Sequence, residues 1–153
     1  LSHVARITQE ERYRVAALQA WKDIHRNLRD SDGGYRPEAP RNFALNHTNR
    51  NQNPVMHLFE ALLALVEATN DELAKEGARS VGNFVLYKLL QGAEDGSASI
   101  PEWYDEHWKP LPTAEAGGYT DLGHQFECVH LLMTGDRLGI SPMIGPSADR
   151  FLK

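Results

Sequence analysis

Cysteine is all but missing from this chain of 153 residues; Cys128 stands alone. An internal disulfide is therefore excluded, and the usage suits a reducing, cytoplasmic setting. Long apolar runs are missing too, so nothing in the sequence is expected to span a membrane. The first residues, Leu1-Ser2-His3-Val4, lack the apolar core of a signal peptide and an initiator methionine. The chain is thus expected to be processed or to be an internal portion of something longer. Basic residues are too few and too scattered for a nucleic-acid surface: 16 Lys and Arg stand against 21 Asp and Glu. Gly-x-Gly-x-x-Gly and Walker loops are absent, as is the Gly-x-Ser-x-Gly elbow of hydrolases. No His-x3-His pair or cysteine cluster fixes a metal set, so neither a metal nor a cofactor is expected.

What is present is an ordinary globular composition, 41% hydrophobic and 24% charged, sufficient for one domain with a real core. The apolar spacing is helical throughout, which predicts an all-α fold. Thr8-Gln9-Glu10-Glu11 reads as a capping box that opens a first helix through Tyr13, Leu18, Trp21, Ile24 and Leu28. Asp30-Ser31-Asp32-Gly33-Gly34 ends it. A second helix is expected from the cap Asn53, with Pro54 behind it, to about Thr69. A third follows at once, capped by Asn70 and carrying Leu73, Val81, Val85, Leu86 and Leu89. A fourth opens near Thr120 and runs to about Thr134-Gly135, and Ser147-Ala148-Asp149 resembles one more helix start. Residues 35–53 and 92–119 read as long loops, which are usually functional. The second of these holds Trp103, Tyr104 and Trp108, as well as Gly117 and Gly118. Its aromatics either line a pocket for a sugar ring or pin the loop to the helix ends.

The tetrad His-x-Phe-Glu occurs twice, as His57-Leu58-Phe59-Glu60 and as His124-Gln125-Phe126-Glu127. Each copy follows a helix-start signal, so two helices are expected to present a histidine from their first turns. Paired histidines suit proton transfer near neutral pH. Near a helix N-terminus the dipole favours a neutral imidazole, and this is expected for His57. Glu127 shares a helix face with His124 and could fix the tautomer of its ring. His130 lies on a different face and reads as structural. Taken singly, either histidine could equally be a partly exposed, capped residue.

The segment Asn53-Pro54-Val55-Met56-His57-Leu58-Phe59-Glu60-Ala61 resembles the N-acylglucosamine 2-epimerase superfamily, most of all in its mannose isomerase-like branch. Gly123-His124-Gln125-Phe126-Glu127 is similar to that superfamily's Gly-His-x-x-Glu-Trp helix start, with Cys128 in place of the tryptophan. The loop Asp105-Glu106-His107-Trp108-Lys109-Pro110 falls between them in the same order. The resemblance implies helical hairpins of an (α/α)6 toroid, residues 1–153 forming one segment of a longer catalytic domain. It implies a monosaccharide substrate, with no metal, interconverted between aldose and ketose in the mannose–fructose manner through an enediol. Epimerisation at C2 and sulfoquinovose isomerisation are neighbouring readings, and a non-catalytic helical module binding carbohydrate or protein is an alternative of another class. Under the resemblance His124 and His57 are catalytic, and Asn53, Glu127 and Trp108 meet the sugar. A homo-oligomer in which copies complete one another's ring is a further expectation.

Overall fold

The computed structural model describes residues 1–44, 48–112 and 119–152; Gly117 and Gly118 lie outside them. The helices are α1 (Ser2–Thr8), α2 (Glu11–Leu28), α3 (Gln52–Thr69), α4 (Glu72–Phe84), α5 (Leu122–Arg137) and α6 (Ile144–Ala148). A π-helical turn, Val85–Leu89, continues α4, and a 3-10 turn, Asp149–Leu152, follows α6. Four two-residue strands complete the set: β1 (Arg50–Asn51), β2 (Gln91–Gly92), β3 (Ala98–Ser99) and β4 (Trp103–Tyr104). β1 pairs antiparallel with β4, Arg50 opposite Tyr104, and β2 pairs antiparallel with β3. Among the described residues no helix is long and apolar enough to cross a membrane.

Helix α3 is the centre of the packing. Its Val55, Met56, Phe59, Leu62, Leu63, Leu65 and Val66 are all buried. Phe59 is 1% exposed and lies against Gly82 of α4 and Gly135 of α5, both of which also face Ile144 of α6. A Cβ at Gly82 would come within 3.1 Å of the Phe59 ring, and one at Gly135 within 3.3 Å. These two glycines therefore let α4 and α5 close onto α3, and interiors packed this tightly leave no room for an added methyl.

The helix ends differ from the sequence expectation in a consistent way. Thr8 does not open a capping box: it closes α1, its hydroxyl donating to the Val4 carbonyl at 2.9 Å. Gln9 then turns left-handed at φ 57°, and the chain enters α2 through Glu10 instead. The cap of α3 is Asn51, whose side chain accepts from the Asn53 N–H at 2.9 Å. Pro54 still falls within the first turn, where no intrahelical donor is needed. Asn70 is the left-handed C-cap of α3 and not the N-cap of α4; Asp71 takes that role, accepting from the Leu73 N–H at 2.9 Å. Asp121 caps α5, which continues two residues past Gly135. At α3, α4 and α5 the cap is a nearby Asn or Asp whose side-chain oxygen accepts a free N–H of the first turn, whereas Glu10 makes no side-chain cap bond at α2.

The loops are held by buried charge. Asp30, just past α2, accepts from four donors: Arg50 Nε at 3.3 Å, Trp108 Nε1 at 2.7 Å, and the N–H groups of Asp32 and Gly34 at 3.2 and 3.0 Å. Trp108 is only 1% exposed, packing edge-on against Phe84 and tilted against Tyr104. The expectation that Trp108 meets a sugar is corrected here: its ring faces are spent on the core and its N–H on Asp30. Gly34 is required beneath it, since a Cβ there would lie 2.3 Å from the indole. Asp30 and Arg50 are both buried, so removing one strands the other in a low-dielectric interior. Asp30→Ala should accordingly cost about 3–5 kcal/mol of stability, read from the shift in a urea unfolding midpoint at unchanged slope. A loss below about 1 kcal/mol would show that Arg50 has another way to be satisfied.

Candidate active site

The β1–β4 pair brings the starts of α3 and α5 to the same place. β1 runs directly into α3, while β4 is preceded by Glu102, whose backbone carbonyl accepts from the Gln52 N–H at 3.1 Å. That N–H is the first of α3 and has no partner within the helix. On the other side, Gln125 of α5 clamps Ile100 through both its backbone groups, at 2.8 and 2.9 Å. The segment holding Ile100 and Glu102 is therefore fastened to α3 and α5 at once.

Between these helices lies a line of hydrogen bonds. Glu102, 3% exposed, faces His124 Nδ1 with Oε1 at 2.9 Å. The other ring nitrogen, Nε2, lies 3.2 Å from the Asn53 side-chain Nδ2. The arrangement selects one tautomer of the neutral ring: Nδ1–H donates to the carboxylate, and Nε2 accepts from the amide. A hydrogen bond to Glu102 raises the His124 pKa above its ordinary 6.5, against desolvation, with Asp121 and Glu127 adding in the same sense. Position three of α5, where the helix dipole opposes positive charge, does not cancel this. Sequence reasoning offered Glu127 as the partner of His124; the structure gives that part to Glu102. A helix-face rule finds neighbours on one helix, whereas Glu102 arrives from a loop with no periodicity. Its only signal was an isolated acid among Ile100, Pro101, Trp103 and Tyr104.

His57 is placed differently. It sits six residues past the Asn51 cap, in the second turn, where the dipole has largely faded. It is exposed; its Nδ1 lies 3.0 Å from Glu60 and 3.8 Å from Glu127. Glu127 thus joins the two tetrads, though through His57. The tetrads themselves are not structural equivalents, because Phe59 is buried whereas Phe126 is 68% exposed. The ligand atoms of His57, Glu60 and Glu127 lie within 4.8 Å of one another, close enough to hold a cation. Two of the three are exposed, and the His57–Glu60 hydrogen bond with the longer His57–Glu127 contact accounts for the grouping without one. A separate groove of about 520 Å³ between α2 and α4, lined by Trp21, His25, Leu73 and Gly77 among others, shares no residue with this cluster.

Comparison with known proteins places the chain in a family. The N-acylglucosamine 2-epimerase family model matches residues 1–152. The chain belongs to that family. Over 83 residues, 53% of its length, it is 36% identical to a mannose-6-phosphate isomerase of Rhizobium meliloti, of which this covers 20%. The structure is similar to cellobiose 2-epimerase from Bacillus thermoamylovorans, with a TM-score of 0.78 at 15% identity. That likeness covers 98% of this chain and 40% of the epimerase. A D-mannose isomerase matches with a TM-score of 0.76 at 20% identity, over 98% of this chain and 38% of its own. The chain thus spans about 40% of the length of these solved relatives. It shares with them the helical hairpins of the (α/α)6-barrel fold.

The Glu102 hydrogen bond makes a pH-dependent claim with a definite sign. A histidine whose folded pKa is raised contributes stability that is complete below the unfolded value near 6.5 and is lost as pH rises through the folded value. Glu102→Gln should therefore lower the His124 pKa, followed by NMR titration of its ring Cε1 proton. It should also remove that extra stability below pH 6.5. An unmoved titration would mean that Glu102 does not set the charge of the ring.

Proposed function

We propose that this chain carries part of the active site of a sugar isomerase that interconverts an aldose and its ketose, mannose and fructose being the favoured pair. The observation that carries this reading is the Glu102–His124–Asn53 line, in which a buried carboxylate makes an imidazole more basic beside a side-chain amide. The reading is supported by family membership and by the sequence likeness to a mannose-6-phosphate isomerase. Epimerisation at C2 uses the same chemistry and stands as the second reading, supported by the fold shared with cellobiose 2-epimerase.

The chemistry needs a group that gives and takes a proton near neutral pH. Ring opening moves the anomeric hydroxyl proton to the ring oxygen. Removal of the C2 proton then pushes an electron pair toward the C1 carbonyl, forming an enediolate. Passing the O2 proton to O1 and returning a proton to C1 gives the ketose with its carbonyl at C2; returning the proton to the opposite face of C2 restores the C1 carbonyl and gives the epimer. His124 assists ring opening and carries the proton: its Nδ1 is anchored on Glu102, and its Nε2 lone pair becomes available when the Asn53 amide turns from it to a sugar hydroxyl. Asn53 and Glu127 contact sugar hydroxyls, and His57 contributes from the rim of the site. Hydrogen bonds that strengthen on the developing enediolate lower the barrier further.

The test is incubation of the whole protein with mannose in heavy water, followed by proton NMR. Deuterium at the carbon that receives the proton, together with fructose, is the expected result. His124→Ala should lose at least about a hundredfold in turnover, in the range for deleting a general acid–base group. Turnover within twofold of the parent would overturn the assignment. Treatment with a chelator should leave the rate unchanged, because no step calls on the His57–Glu60–Glu127 group to hold a cation. A rate that falls and returns with added divalent metal would overturn the metal-free reading.

A further inference from the structure

We infer that Gln52 is a positioning residue for the His124 acid–base group, acting through Glu102. The inference rests on the reading of His124 given above. Gln52 opens α3 and is 0% exposed, an unusual place for a long amide. Its Nε2 lies 3.1 Å from each oxygen of the Glu102 carboxylate, and its backbone N–H donates to the Glu102 carbonyl at 3.1 Å. One residue thus grips both the main chain and the side chain of the group that orients His124.

The remaining amide atom supplies an independent observation. Gln52 Oε1 is buried and has no donor among the described residues. An orphaned buried acceptor is destabilising, and turning the amide over would not relieve it, since Oε1 would then face the carboxylate. As placed, the amide turns its donor toward both Glu102 oxygens. Among the described residues the side-chain partners of Glu102 are Gln52 and His124, with no arginine or lysine bonded to it, so the amide donor supports the carboxylate that His124 faces. His124 also faces Asp121 and Glu127 of its own helix and Asn53 of α3, and none of these contacts passes through Gln52.

Substituting methionine for Gln52 keeps the length of the side chain and removes the donor. In the whole protein, Gln52→Met should shift the His124 ring titration to lower pH. It should reduce kcat about tenfold with KM within twofold, as for other partners that orient a functional histidine. On a Glu102→Gln background the same substitution should add no further shift, because the path it acts through is gone. Should Gln52→Met fail to fold, Gln52→Asn reads the same quantity, its amide being too short to span both oxygens. A folded Gln52 variant with an unmoved His124 titration overturns the inference. So does an equal shift on the Glu102→Gln background. A titration that moves as expected in a protein without sugar turnover would instead remove the isomerase reading and leave the role of Gln52 intact.

Discussion

Asp30 is the contact on which the rest of the structure depends. Its two oxygens take donors from the turn that follows α2, from β1 through Arg50, and from the loop beyond β4 through Trp108. A buried carboxylate tolerates that position only when its lone pairs are filled and a cation stands close. Both conditions are met, and meeting them draws three distant segments to one point. The two-residue pairing of β1 with β4 is too short to be stable alone. It persists because Asp30 holds Arg50 on one strand and Trp108 just after the other. The beginning of α3 and the residue that faces His124 are both fixed by that pairing.

A second carboxylate, Glu102, repeats the logic with a different outcome. Asp30 is matched by a guanidinium that is charged at any pH of interest, so it is structural. Glu102 is matched by an imidazole, whose charge is negotiable. Two buried acids thus do opposite work. One makes the framework rigid; the other leaves a proton free to move within it. The contrast follows from the partner, since both acids are buried and hydrogen-bonded.

Much of the scaffold was legible in the sequence. The apolar stripe Met56, Phe59, Leu63, Val66 announced α3, and its caps were misjudged only by a residue or two because Asn and Asp cluster at each boundary. His124 and Asn53 were each legible as candidates because both stand at helix starts within recognisable motifs, but their contact with one another was not. Glu102 and Gln52 were not, since each matters through a tertiary contact that no local spacing encodes. Trp108 misled for the opposite reason. An aromatic in a Pro-rich loop resembles a ligand platform, but its indole N–H is used inside the molecule. Its backbone, at φ 60°, takes a left-handed turn that points the ring inward. The duplicated tetrad was a pattern of letters more than of structure, for one phenylalanine fills the core and the other faces outward.

The hydrogen bond between Asn53 and His124 joins residues 71 apart in the chain, and the Trp108–Asp30 bond joins residues 78 apart. Helices can nucleate from their own sequence, but neither of these contacts can form until long loops have closed, with the entropy that closure costs. The proton-handling geometry is accordingly a property of the finished topology and of no single hairpin within it. A peptide carrying the second tetrad alone would hold His124 and still lack Glu102 and Asn53, the partners that give the ring its direction.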